Sequence, residues 1–120
     1  MATPRFSSVD DYLSSLQPPK DQTIRSIIDV ILAGFPELEA KIAWNVPQIH
    51  RDGKYVAGVD AAENHVSISA WSPDVIAGFK PRLGDYVVKK NLFQVPVDWK
   101  VDEVLVGDLV RARLAELDAE

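Results

Sequence analysis

The sequence predicts a two-layer α+β sandwich, with helices from both ends of the chain packed on one face of an antiparallel sheet of about five strands. Three observations predict it. Apolar side chains recur at helical spacing in two segments, Ile24 to Phe35 and Val106 to Leu117. Between Lys41 and Trp71 the spacing changes to the alternation of half-buried strands, and Asp52-Gly53 is the two-residue turn whose twist suits an antiparallel hairpin. With 120 residues the chain is expected to form one domain over 1–120.

The elements follow in order. Ser8 ahead of Asp10 and Asp11 is an N-terminal capping pattern, which predicts a helix from Val9 to about Leu16, stopped by Pro18 and Pro19. Ile24, Ile27, Ile28, Ile31 and Phe35 share a face of a second helix, ended by Gly34-Phe35-Pro36. A helical turn is expected from Glu37 to Lys41, then a strand through Ile42, Trp44 and Val46 that Pro47 interrupts. The Asp-Gly turn returns the chain along Tyr55 to Val59. A further strand carries Val66, Ile68 and Ala70 on one face and His65, Ser67, Ser69 and Trp71 on the other.

Ser72-Pro73-Asp74 predicts the start of a short helix through Val75, Ile76 and Phe79. Beyond Pro81 and Gly84 come two strands, Tyr86 to Lys89 and Leu92 to Val95, around a Lys90-Asn91 turn. The last helix runs from Val101 to Leu117, with Asp102 and Glu103 favourably placed at its positive end. Glu116, Asp118 and Glu120 stand at its negative end, where fraying is expected.

Composition excludes several function classes. There is no cysteine, so disulfides, thiolate metal sites and a cysteine nucleophile are ruled out. The net charge of -5 opposes sequence-independent binding of nucleic acid. Arg82, Lys89, Lys90 and Lys100 form a loose basic group broken by Asp85 and Asp98, the pattern of a solvated face. No apolar run is long enough to span a bilayer, and the segment Met1 to Phe6 lacks the apolar core of a signal peptide. The expectation is a cytoplasmic protein without membrane or nucleic-acid partners.

A set of short strings occurs in a distinctive order: Val9-Asp10-Asp11-Tyr12, Phe35-Pro36, Lys41 to Pro47, Gly53-Lys54-Tyr55-Val56, Asn64-His65-Val66 and Lys90 to Pro96. Together they resemble the YdhG-like bacterial domain family, whose members are mostly of unknown function and include a branch described as a frataxin-like iron chaperone. The resemblance implies a frataxin-like arrangement of helices on one sheet face. It also implies low-affinity iron binding through carboxylates, of which Asp10 and Asp11 are nearest the pattern, with Asp21, Glu37 and Glu39 as possible neighbours. The family carries glycine where this chain has Asn45 and Asn91. Asparagine is the best substitute at a left-handed position, so left-handed turns are expected at both.

Other candidates come from the residues themselves. His50 and His65 flank the first hairpin and are expected to be cross-strand neighbours if the Asp-Gly turn sets the register; neither has the spacing of a metal site. Arg113 falls within the apolar stripe of the last helix. It either locks that helix to the sheet through an ion pair or a carbonyl, or provides a planar donor for a small anionic ligand. Trp44, Tyr55, Trp71, Tyr86 and Trp99 are aromatic candidates for lining such a pocket, with Trp44 and Pro47 at its lip. The candidate ligand-binding set is Trp44, Pro47, His65, Trp71, Lys90 and Arg113. A sheet face bearing His65, Ser67, Ser69 and Trp71 would suit a ligand, a protein partner or a second copy in a homodimer. No nucleophile elbow, phosphate loop or facing carboxylate pair is present, which favours a non-enzymatic binding protein. An enzyme built around Arg113 and a histidine is the remaining alternative.

Overall fold

The structure, a computed structural model, describes residues 5–119. Helices α1 (Val9–Ser14) and α2 (Lys20–Gly34) come first, followed by strands β1 (Glu39–Ala43), β2 (Val46–Arg51), β3 (Lys54–Ala61) and β4 (Val66–Ser69). Helix α3 (Pro73–Leu83), strands β5 (Val87–Val88) and β6 (Leu92–Val95) and helix α4 (Glu103–Ala119) complete it. The sheet has six strands, not five, in the order β1-β2-β3-β4-β6-β5, and every pairing is antiparallel. Among the described residues no helix is long and apolar enough to cross a membrane.

The starts of α1 and α3 follow the predicted capping at Ser8 and Ser72, whereas α4 begins at Glu103 and not at Val101, with Asp102 as its cap and not its second residue. Ser8 Oγ accepts from the Asp11 N–H, Ser72 Oγ from Val75 and Asp102 Oδ1 from Leu105, each satisfying a donor that the first helical turn leaves free. Helix α3 is longer than expected because Pro81 lies within it rather than ending it. The stop comes at Gly84, which adopts φ 49°. Helix α4 continues through Asp118 to Ala119, past the predicted end at Leu117; Glu120 lies outside the described residues.

The sixth strand arises where the sequence reading assigned one long strand. Trp44 and Asn45 both adopt positive φ, 52° and 62°, and form a two-residue turn, so Ile42 and Val46 belong to different strands. Glu39 to Lys41, expected as a helical turn, is the start of β1. Pro47 is tolerated because Ala43 and Val46 close the hairpin, which leaves Ile42 and Pro47 as the next, non-hydrogen-bonded pair. Asn45 meets the left-handed expectation; Asn91 does not, since positive φ occurs elsewhere.

One face of the sheet is the core. Ile49, Val59, Ile68 and Phe93 are almost fully buried there against Ile24, Ile27 and Ile31 of α2 and Leu105, Leu109 and Val110 of α4. The opposite face carries no helix. Strand alternation places Lys41, Gln48, Gly58, Ser69 and Leu92 in one cross-strand row on that open face.

Candidate binding site on the open sheet face

Three aromatic rings converge on the open face. Trp44 folds back from the β1–β2 turn, Tyr55 rises from the start of β3, and Trp71 enters from the residue pair after β4. Their centroids are 5.0 Å (Trp44 to Tyr55), 5.2 Å (Trp44 to Trp71) and 5.0 Å (Tyr55 to Trp71) apart, within the range for favourable ring pairing. Tyr55 and Trp71 are stacked at 24°, and Lys41 Nζ lies 5.3 Å from the Tyr55 centroid, a cation–π distance. Trp44 is 67% exposed, so a broad aromatic surface faces solvent.

The backbone under this cluster is unusual. Trp44 has φ 52° and Trp71 has φ 55°, left-handed positions that an L residue with a bulky side chain rarely occupies. Each costs roughly 1–2 kcal/mol. Trp71 was expected on the strand beside His65, Ser67 and Ser69. The strand ends at Ser69, and the left-handed turn swings the indole across toward β2 and β3.

A buried polar pair fixes the indole. Trp71 Nε1 donates to Gln48 Oε1 at 2.8 Å, and Gln48 is only 5% exposed. The amide fits because its cross-strand neighbour is Gly58, where a Cβ would lie 2.5 Å from Gln48 Oε1. Arg113 supports the cluster from below. Its Nε donates to the Tyr55 carbonyl at 3.1 Å and its guanidinium pairs with Glu116 at 3.2 Å. The other Glu116 oxygen accepts from Ser72 Oγ at 2.7 Å, so α4, α3 and β3 are tied together immediately behind Tyr55 and Trp71. Arg113 therefore takes the locking arrangement, an ion pair together with a carbonyl bond.

The structure brings together Trp44 and Trp71 and puts Arg113 behind them. Other candidates lie elsewhere. Pro47 is buried and alternates away from Gln48 toward the helical side, so it forms no lip beside Trp44. His65 sits in the β3–β4 turn, at the opposite end of β3 from His50, which pairs with Tyr55 and Glu39. The two histidines are not neighbours, because the Asp-Gly turn joins β2 to β3 and leaves His65 six strand residues away, about 20 Å. His50 Nδ1 accepts from the Gly53 N–H at 3.3 Å and braces the hairpin. Tyr86 and Trp99 form a separate pair, with the indole N–H on the phenol oxygen at 2.8 Å. Lys90 lies at the β5–β6 turn, across the sheet from Trp44.

The carboxylates form no cluster. Asp10 accepts from Arg25 at 3.1 Å, and Asp11 accepts from the backbone and hydroxyl of Ser7. Among the described residues no three His, Asp or Glu side chains are placed to share a metal ion. Sequence reasoning missed Gln48 and Lys41. Gln48 follows Pro47, where the alternation is interrupted, and only the continuation of β2 through that proline puts it in the sheet opposite Gly58.

No protein-family model matches the chain, and no curated protein matches it. Solved structures do. A YdhG protein of the DUF1801 family from Bacillus subtilis has a TM-score of 0.83 at 19% identity, with 91% of this chain and 90% of that one covered. An uncharacterised conserved protein from Lactobacillus casei has a TM-score of 0.61 at 21% identity, with 91% of each chain covered. The α+β architecture described above is thus the fold of a YdhG-like domain.

Proposed function

We propose that this is a small non-enzymatic binding protein that takes a ring-bearing small ligand onto the open sheet face, stacked on Trp44 and anchored by Lys41. The observation that carries the reading is the strained placement of Trp44. A left-handed backbone holds a tryptophan against Tyr55 and Trp71 while leaving it 67% exposed. Strain of this kind concentrates at functional sites, and burial of Trp44 does not repay it. The surroundings favour a small ligand over a second copy of the chain. Around the rings Glu39, Lys41, Ser67, Ser69 and Gln94 are mixed with Val46, Leu92 and Val87 on the same face, a polar admixture that suits a small ligand on the rings better than a continuous apolar dimer core.

The test is a titration with planar heterocycles and pyranosides, followed by the indole N–H resonances, alongside sedimentation analysis. Saturable shifts at the Trp44 and Trp71 indoles, with the Trp71 shift lost in Trp44→Asn, support the reading. A concentration-dependent dimer that protects Trp44 with no ligand added would refute it.

Iron delivery in a frataxin-like manner is a second proposal, resting on the sequence resemblance. Asp10 is 82% exposed and its contact with Arg25 is a surface pair of little strength, so the carboxylate is accessible. Anaerobic titration with ferrous iron tests it, and broadening spread over all surface acids instead of Asp10 and Asp11 would reject it.

A further inference from the structure

A second site lies at the other end of the sheet, between α3 and the β5–β6 hairpin. A groove of about 380 Å³ opens there. Its floor is apolar: Ile76 is 1% exposed, and Ala77 and half-buried Val88 lie beside it. Its rim carries Lys80 from α3 and Lys89 and Lys90 from the hairpin turn, with Asp74 as the one acid among the lining residues. Helical spacing puts Pro73, Ile76, Ala77 and Lys80 on one side of α3, so the lysine extends the same face that forms the floor.

These lysines differ from the other cations nearby. Arg82, on the same helix, is held by Asp108 at 2.8 Å and stacks on Phe79, and Arg111 shares Asp108 at 2.9 Å. Among the described residues no acid lies within ion-pair distance of Lys80, Lys89 or Lys90. Three like charges held around one groove repel one another, and Asp74 offsets only one of them. In a chain of net charge -5 such a local excess of positive charge is a patch of potential that attracts an anion. The Arg82-to-Lys100 grouping suggested by sequence is not the one the fold assembles: Lys100 lies by α2 and Arg82 is paired, while Lys80 joins Lys89 and Lys90.

We propose that this groove binds a small phosphate monoester with a compact apolar body, the phosphate held by Lys80, Lys89 and Lys90 and the body laid over Ile76, Ala77 and Val88. Lysine ammoniums bind phosphate as point charges, which suits a rim of flexible cations without a preformed planar fork. The groove is of the size that takes a small molecule. It is separate from the Trp44 face, so the two readings stand or fall independently.

The experiment is an amide NMR titration of the whole protein with phenyl phosphate, inorganic phosphate, benzyl alcohol and a tetraglutamate peptide. Expected are saturable shifts at Ile76, Ala77, Lys89 and Lys90, with phenyl phosphate at least about fivefold tighter than inorganic phosphate and benzyl alcohol silent. Lys90→Gln and Lys80→Gln each weaken phenyl phosphate by about fivefold or more, and raising the salt to about 0.5 M weakens it further. Equal affinity for the two phosphates, or equal shifts at Lys20, Lys41 and Lys100, would overturn the proposal. Tetraglutamate binding as tightly as phenyl phosphate would assign the groove to an acidic protein segment and overturn it too. Substituting these exposed lysines leaves the core untouched, so an unfolded variant is not an expected outcome.

Discussion

Replacing Gly58 by alanine probes the support beneath Trp71. Gly58 is buried and does not occupy a left-handed position, so alanine is acceptable to the backbone and restricts the unfolded chain, a gain of about 0.4–1 kcal/mol. The new Cβ would stand 2.5 Å from Gln48 Oε1, 3.2 Å from its Cδ and 3.3 Å from its Nε2. The glutamine amide must move, and its bond from Trp71 Nε1 at 2.8 Å is lost in a site where Gln48 is 5% exposed. Disrupting a buried hydrogen bond costs about 1–3 kcal/mol, so the loss outweighs the gain and Gly58→Ala should destabilise by about 1–2 kcal/mol. With urea m-values of about 1–3 kcal/mol/M, the unfolding midpoint falls by roughly half a molar unit or more. In a Gln48→Ala background the displaced atoms are gone, and Gly58→Ala should become neutral or stabilising by up to about 1 kcal/mol. Urea unfolding of the four proteins, with near-ultraviolet dichroism to follow Trp71, measures the difference. An equal cost in both backgrounds would refute the contact-based reasoning.

Three further outcomes follow from the same contacts. Trp44→Asn should be close to neutral or stabilising by about 1 kcal/mol, since asparagine tolerates the left-handed position and the lost ring is mostly exposed; a loss above about 2 kcal/mol in urea unfolding would make Trp44 a packing residue. Arg113→Met should cost about 1–3 kcal/mol by leaving the Tyr55 carbonyl and the Glu116 carboxylate short of a donor, and a gain in stability would show that desolvation outweighs the pair. Burial is the main cause that pushes the Tyr12 phenol up to about 12; the Asp60 carboxylate adds to it and the Ala61 N–H opposes it. The raised value favours the protonated folded form, so this contribution is fully present below pH ~10, the unfolded value, and is lost as pH rises toward ~12, at about 1.4 kcal/mol per pH unit. Unfolding series across that window should show a shallower decline for Tyr12→Phe than for the parent, and parallel curves would contradict the assignment.

Local chemistry was enough to read much of the fold. Ser8 and Ser72 mark helix starts because their side chains satisfy donors within the next three residues, and Asp52-Gly53 marks a hairpin because its two positive φ values need no distant partner. The isoleucines of α2 and the leucines of α4 record their buried faces in their spacing. Turns built from atypical residues were hidden. Asn45 carries a left-handed signal but Trp44 beside it carries none, so β1 and β2 merged, and Pro81 looked like a helix stop although α3 runs through it.

The site was legible only as an inventory. Trp44, Trp71, Lys90 and Arg113 were all marked as candidates, but which of them meet depends on strand order and on two left-handed residues. Spacing along a chain carries neither. Gln48 acquired its role because β2 continues past Pro47 and puts it opposite Gly58, and Lys80 acquired its role because α3 lies against the β5–β6 turn. By itself the sequence determined the fold class, the caps of α1 and α3, the Asp-Gly hairpin and the absence of cysteine chemistry, since each depends on composition or on residues close together in the chain. Tertiary structure alone decided the aromatic triad, the lock around Arg113 and the lysine-rimmed groove, because each joins side chains from strands and helices that only the packing of the sheet brings within contact.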